Sequence, residues 1–284
     1  MSSDVSRADV CVVILTFNEE KNIAQAIESV RGWANEIFVL DSFSDDKTVE
    51  IAETLGATVF KRKFDGYGRQ RNHAISALPI ESEWMLFLDA DEWVSSELRE
   101  EISRVLASDP TENGFYCKRR LIWLGQWIKR GYYPVWILRL FRRKFSRVEE
   151  RQINEHVIVE GKTGELEFDL MHEDHNDVAR WIAKHDRYAA AEAELLLSGE
   201  DDNALPPRML GSQTERKRWV RERVWKRLPP LVRPWLYFGY RTILQGGVLD
   251  GKEALAFHTL QGLWMQTLID VKYLEMKRSG KKPK

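Results

Sequence analysis

Two aspartates separated by one small residue, Asp89-Ala90-Asp91, close the apolar run Trp84-Met85-Leu86-Phe87-Leu88. At the end of a strand, side chains at i and i+2 point into one cleft. Two carboxylates held that close repel unless a cation lies between them. A hard divalent ion such as Mg²⁺ or Mn²⁺ takes oxygen ligands and commonly completes its shell with phosphate oxygens. The chemistry this suggests is neutralisation of a departing diphosphate. The bland alternative is an acidic helix start, because Asp and Glu also favour a first helical turn.

Other polar residues fall at comparable places. Asp41 ends the run Glu36-Ile37-Phe38-Val39-Leu40 and can accept from a base or ribose hydroxyl, although Asp-Ser-Phe-Ser-Asp-Asp is also rich in turn formers. Thr16-Phe17-Asn18-Glu19 follows a third apolar run. Arg69, Arg71 and Asn72 open a short helix, where Arg suits phosphate or base edges and equally suits a solvated face. Glu155, in Asn154-Glu155-His156, is a carboxylate that can take the proton of an acceptor hydroxyl, or an exposed strand residue. His156, His172 and His175 cluster without any recognised zinc spacing. One histidine can complete a metal shell, for which His156 is the candidate, and the others read as structural.

These residues need elements to position them. Residues 10–16 are a continuous, β-branched apolar run, the mark of a strand buried on both faces. Asn18 is placed to cap a helix carrying Ile23, Ala26, Ile27 and Val30 at helical spacing. Strands over 36–41, 57–61 and 84–88 alternate with helices marked by Val49-Ala52-Leu55, by 69–78 stopped at Pro79, and by Leu98-Ile102-Val105 after Ser95 or Ser96. Four alternations specify an α/β fold with a mostly parallel sheet and helices on both faces. Ligands in such folds sit beyond the carboxyl ends of the strands, and three of those ends carry the polar clusters above.

From Gly114 the pattern changes to mixed strands and loops rich in Trp, Tyr and Arg, with turns near Gly125, Gly131 and Gly161–Gly164. Trp123, Trp127, Tyr132, Tyr133 and Trp136 suit sugar stacking, a lipid-facing rim or an ordinary core. Residues 177–198 read as helix, 199–212 as a polar linker, and 213–276 as mostly helical, with Asp250-Gly251-Lys252-Glu253 fitting a capping box. The expected division is an α/β half over 1–113, a mixed half over 114–198 and a basic, aromatic helical extension over 199–284.

The 284 residues, 43% hydrophobic, suffice for a large core, and the net charge of -1 offers nucleic acid no overall attraction. The charge is uneven: ten basic residues from Arg208 to Arg241 face only Glu215 and Glu222. Interleaved with Trp219, Trp225, Trp235, Tyr237, Phe238 and Tyr240, this segment reads as an interfacial membrane anchor, or else as a helical subdomain packed on the core. Arg233 and Arg241 interrupt the best candidate for a spanning helix. Cys11 and Cys117 lie in strand-like runs and read as buried thiols of a reducing compartment, so a cytoplasmic address is expected.

The motifs VVILTFNEEKNI, FVLDSFSDDKTVEIA, GRQRNHAI and FLDADEWV, followed by the 121–143 aromatic stretch, NEHV, LMHED and KHDRYAAAEA, resemble those of a family-2 inverting glycosyltransferase of the GT-A fold. The similar subgroup builds lipopolysaccharide core and other bacterial surface glycans. The resemblance implies a UDP-sugar donor, UDP-glucose among the options, a divalent Mg²⁺ or Mn²⁺, and a glycan or lipid-linked acceptor hydroxyl at the cytoplasmic face of the inner membrane. It makes 1–113 the nucleotide-sugar-binding half and 114–198 the acceptor-side half with metal and base elements, and by position it implies nucleoside contacts from Thr16, Phe17, Asn18, Glu19 and Asp41, Arg71 near the base or diphosphate, and ribose and metal at Asp89 and Asp91. It also implies a base at Glu155, although the preceding residue is Asn154 where relatives carry His. A polyprenyl-phosphate sugar synthase with the same donor site, or a non-catalytic binding protein of this fold, stays open. No Gly-rich phosphate loop follows the first strand, which argues against nucleotidyltransferases and dinucleotide dehydrogenases.

Overall fold

The apolar run at the N-terminus becomes strand β1 (Ala8–Thr16), the centre of a sheet. In the computed structural model, which describes residues 7–150, 155–198, 209–210, 215–216, 219–220 and 223–280, Val10 to Ile14 are fully buried. The reason is visible in the packing. Val10, Val12 and Ile14 face one core with Ile23, Ala26, Ile27 and Val30 of helix α1 (Ile23–Val30). Cys11 and Val13 face a second core with Ala74 and Ile75. A strand covered on both faces has no polar position to alternate with, hence the unbroken apolar run.

The chain forms two compact units, the first from residues 1–122 and 134–176, the second from 123–133 and 177–284. In the first, β1 lies between β2 (Ala34–Asp41) and β4 (Trp84–Asp89), with β3 (Thr58–Lys61) beyond β2, all parallel. Register sets Thr16 beside Asp41 and Leu15 beside Asp89, so the polar strand ends lie at one level. Helices α2 (Thr48–Thr54), α3 (Tyr67–Ala77) and α4 (Ser96–Ala107) connect these strands, and Ser95 caps α4 by accepting from the Leu98 amide.

The sheet continues through β5 (Glu92–Val94), β6 (Gly114–Trp123), β8 (Val135–Arg142) and β11 (Thr163–His172) in the order β3-β2-β1-β4-β8-β6-β11-β5. Short strand β7 (Gln126–Trp127) lies in the second unit. Antiparallel pairing enters at β4–β8, β8–β6 and β11–β5. Strands β9 (Ser146–Val148) and β10 (Val157–Val159) form a separate antiparallel pair. The expected boundaries at 113 and 198 do not coincide with the units. Strand pairing carries residues 114–122 and 134–176 into the first, and helix α5 (Val178–Ser198) opens the long second segment of the other.

The second unit is helical: α5, α6 (Arg233–Gly239), α7 (Lys252–Phe257) and α8 (Met265–Ser279), with π-helical turns over 240–244 and 258–264. Trp123, expected as a sugar platform, a lipid rim or a core residue, is buried with its ring against Trp181 and Phe257. Two local expectations are corrected. Asn18 does not cap α1, which starts at Ile23; it sits at φ 56° in the preceding loop. Asp250 forms no capping box, because its carboxylate accepts from the Lys129 and Arg130 amides at 2.8 and 2.5 Å. Of the residues singled out in sequence, Asn154, Arg208, Lys217, Arg218, Arg221, Glu222 and most of the 199–212 linker lie outside the described residues.

Candidate active site

The level strand ends of β1, β2 and β4 gather the site in the first unit. Asp41, fully buried, accepts from Thr16 Oγ1 at 3.1 Å and from the Ser44 amide at 2.9 Å and its hydroxyl. Asn18 answers from the facing loop, its amide donating to Ser44 Oγ at 2.8 Å and its side-chain oxygen accepting from the Asp45 amide at 2.9 Å. The turn chemistry and the strand-end position of Asp41 are thus one feature: the carboxylate holds the two loops together. Phe17, between them, is half exposed. Glu19 accepts from Asn22 Nδ2 at 2.7 Å, tying its loop to the start of α1.

Arg71 leaves α3 buried and reaches two carboxylates, Asp89 at 2.7 Å and Glu155. Asp89 is held from its other side by Arg139 of β8 at 2.5 Å, and the same Arg139 nitrogen bonds Glu92 at 2.7 Å. Glu92 is buried and accepts from the Asp89 amide at 3.0 Å. Burial by itself raises the Asp89 carboxyl, but the charges of Arg139 and Arg71 outweigh it and hold it well below the usual carboxylate range. The mutual repulsion expected of Asp89 and Asp91 is therefore answered for Asp89 by two guanidinium groups of the chain itself. Each Asp89 oxygen carries one of them, so as an ion ligand it is already engaged.

Asp91 has a different neighbour. Pairing of β11 with β5 sets His172 opposite Glu92, and the Glu173 amide bonds the Asp91 carbonyl at 3.0 Å. His172 Nε2 thereby comes to 3.3 Å from Asp91 Oδ2, with its buried Nδ1 unpartnered. Adjacent ligands on an octahedral ion with bonds near 2.1 Å stand about 3 Å apart, so this carboxylate and imidazole fit two neighbouring positions of one ion. His156, the expected third metal ligand, is placed elsewhere: its Nδ1 is 3.0 Å from Glu149. His175 serves structure, its amide donating to Asn22 and its ring facing Gln25. Among the described residues no cluster of three or more His, Cys, Asp or Glu side chains could hold a metal by itself. Any ion here draws the rest of its shell from substrate and water, as Mg²⁺ commonly does.

Glu155 lies between β9 and β10 in the chain, and α3 holds the end of β9. Asn72 donates to the Val148 carbonyl and accepts from its amide, both at 2.8 Å. Gly68 allows the closest approach: a Cβ there would lie 2.1 Å from the Glu149 carbonyl oxygen. Asn72 therefore positions the end of β9 rather than a ligand, while Arg69 is exposed, 3.8 Å from Glu150.

Sequence reading missed Arg139, and placed Glu92 in the polar cluster at the end of β4 without giving it a role of its own. A signal existed for the first, since an arginine inside the apolar strand Ile137-Leu138-Arg139-Leu140-Phe141 must find a buried anion.

A half-parallel sheet whose strand ends converge on an aspartate pair, followed by antiparallel strands and a helical C-terminal part, is the GT-A architecture of nucleotide-sugar transferases. The chain belongs to glycosyl transferase family 2, whose model matches residues 11–158, just over half of it. It is 36% identical over 140 residues to an uncharacterized glycosyltransferase of Rickettsia typhi, a match covering 48% of this chain and 47% of that one. The chain thus spans about half the length of the curated relatives it matches most strongly. It is 26% identical over 202 residues to the lipopolysaccharide core biosynthesis glycosyltransferase LpsC of Rhizobium meliloti, covering 67% of this chain and 72% of that one. Among solved structures, the mannosyltransferase PcManGT from Pyrobaculum calidifontis, in complex with GDP-Man and Mn²⁺, superposes with a TM-score of 0.52 at 16% identity, covering 98% of this chain and 89% of that one. That likeness shows the fold.

Proposed function

We propose that the chain is an inverting glycosyltransferase that moves a sugar from a UDP-sugar, UDP-glucose being the first to test, to a hydroxyl of a lipid-linked or lipopolysaccharide-type glycan. The observation that carries this reading is the division of labour within Asp89-Ala90-Asp91: one carboxylate neutralised by Arg71 and Arg139, the other set beside His172. A bound Mg²⁺ or Mn²⁺ at Asp91 and His172 would supply Lewis-acid stabilisation of the diphosphate leaving group.

The remaining roles belong to the chain's own residues. Thr16, Phe17, Asn18, Glu19 and Asp41 form the loops at the strand ends that would receive the nucleoside, with Phe17 offering an exposed ring face. The charges of Arg139 and Arg71 favour the ionised form of Asp89, the form a ribose-binding carboxylate needs. Arg71 orients Glu155 and presents positive charge to the diphosphate side. Glu155 would take the acceptor hydroxyl proton as that oxygen attacks the anomeric carbon from the face opposite the departing diphosphate, which inverts the configuration. Support for a surface-glycan acceptor comes from the likeness to LpsC. A cytoplasmic enzyme bound peripherally to the inner membrane fits this acceptor, and no helix among the described residues is long and apolar enough to cross a membrane.

A panel of UDP- and GDP-sugars tested for nucleotide release with Mn²⁺, Mg²⁺ or chelator, with and without lipopolysaccharide-core acceptors, tests the donor side. Release from GDP-sugars alone overturns the UDP assignment, and release unaffected by chelator overturns the metal. On the acceptor side, Glu155→Gln is expected to abolish transfer to a sugar hydroxyl while donor binding persists. Full activity in that variant would favour a phosphate acceptor, as in a polyprenyl-phosphate sugar synthase, because a phosphate needs no base.

A further inference from the structure

The segment from Leu228 to Leu249 contains no acidic residue and no lysine; Arg233 and Arg241 are its only charges. In the folded second unit both arginines turn inward. Arg233 is buried on Asp270, its Nε 2.8 Å from the carboxylate. Arg241 is buried with its Nε donating to the Gly131 carbonyl at 2.7 Å and its guanidinium on Gln261. The two charges that interrupt the apolar run in sequence are thus removed from its surface.

What remains outside is apolar but for Gln245 and the Tyr240 hydroxyl. Trp235, Leu236, Ile243, Leu244, Val248 and Leu249 are exposed by between 51% for Val248 and 79% for Leu244. Positions 235, 236, 240, 243 and 244 recur at near-helical spacing along α6 and the π-helical turn after it, so they share a face. Gly246, at φ 73°, then reverses the chain and brings Val248 and Leu249 outward. Single exposed apolar side chains are ordinary; a continuous series on a stretch without exposed charge marks an interaction surface.

We propose that this ridge inserts into the acyl–headgroup boundary of an anionic bilayer. The inference deepens the peripheral-membrane part of the proposed function and rests on it. Charge complementarity selects the occupant. Arg216, Arg223 and Arg227, which precede the ridge, are exposed, and in sequence the 208–227 stretch carries eight basic residues against two acidic ones. Basic residues flanking an apolar face with Trp235 and Tyr240 on it are the chemistry of interfacial anchors. A two-fold contact between copies through the same ridge would instead bring two basic stretches together.

The experiment is sedimentation of the full chain with vesicles of phosphatidylcholine alone or mixed with phosphatidylglycerol. The comparison is between wild type, the triple variant Ile243→Glu/Leu244→Glu/Leu249→Glu, and Arg223→Glu/Arg227→Glu. Thermal unfolding and nucleotide release from the donor are followed in parallel. Wild type is expected to bind the mixed vesicles, the triple variant to bind them about tenfold or more weakly with unfolding and donor hydrolysis unchanged, and the double variant to lose the preference for anionic lipid. Wild-type-like vesicle binding by the triple variant overturns the ridge as the docking surface. Failure of wild type to bind any vesicle overturns the bilayer as its occupant, as does conversion of a dimer to a monomer by the triple variant at unchanged vesicle binding. Ridge-dependent vesicle binding by a chain that transfers no sugar upholds this inference and overturns the proposed activity instead.

Discussion

Replacing Arg139 by Met keeps most of the side chain's apolar stem and removes the charge that joins Asp89 and Glu92. The geometry sets the expected size. Glu92, buried, loses its partner at 2.7 Å and retains Arg119 at 3.8 Å. Asp89, with its side chain 31% exposed, loses one guanidinium and keeps Arg71 at 2.7 Å. Removing one partner of a buried ion pair typically costs about 3–5 kcal/mol. With two arginines still nearby the lower end applies, about 3 kcal/mol, or a fall in melting temperature of about 6–12 °C for a chain of this size. Adding Glu92→Gln to Arg139→Met should recover part of the loss, because the stranded charge disappears while an acceptor for the Asp89 amide remains. The sign of the pH dependence follows from Asp89. Its carboxyl is held below the usual range in the folded chain, so its contribution is present above the unfolded value near 4 and is lost as pH falls toward the folded value. The gap between wild type and Arg139→Met, measured by circular dichroism melts or urea titration, should be widest at neutral pH and narrow below about pH 4. A variant within about 1 kcal/mol of wild type at pH 7, or a gap that widens in acid, refutes the view that Arg139 compensates these two carboxylates.

Asp91→Asn should abolish metal-stimulated nucleotide release while the melt stays close to wild type; unchanged release would remove the metal from Asp91. His172→Ala should raise the metal concentration needed for half-maximal release by about tenfold or more, whereas His156→Ala, which touches Glu149, should not. The reverse order of effects would restore His156 as the ligand. Gly68→Ala should destabilise by about 1–3 kcal/mol and depress transfer more than donor binding, since the new methyl meets the backbone before Glu155 rather than a movable side chain. Both thiols should resist alkylation in the native chain at pH 8 and react once it is denatured. Burial pushes both up, Cys117 to about 12, and rapid native modification of either would contradict that burial.

Much of the fold was legible because its causes are local. A β-branched apolar run from Val10 to Ile14 reads as a strand covered on both faces, and a serine at the head of an amphipathic run, Ser95 or Ser96, reads as a cap, which Ser95 is. Strand–helix alternation then places Thr16, Asp41 and Asp89 at one edge of the sheet, so the three polar strand ends could be grouped before any coordinates. The local rules failed where a side chain answers to something distant. Asn18, a good cap by type, spends its amide and its side-chain oxygen on Ser44 and Asp45. Asp250, well spaced for a capping box, binds amides more than a hundred residues away.

What the sequence alone determined is therefore the set of elements and the level at which the carboxylates stand, since both follow from periodicities of two and 3.6 and from strand order. Which side chain faces which carboxylate was decided by tertiary structure. Antiparallel pairing of β8 brought Arg139 to Asp89, and pairing of β11 with β5 brought His172, rather than the sequence neighbour of Glu155, to Asp91. The same holds for Arg233 and Arg241, which look like exposed charges in a helical run until Asp270 and Gly131 draw them inside. The physical reason is common to all four: a buried polar or charged side chain must find its partner within a few ångströms in space, and nothing in the spacing of residues along the chain says which distant group will supply it.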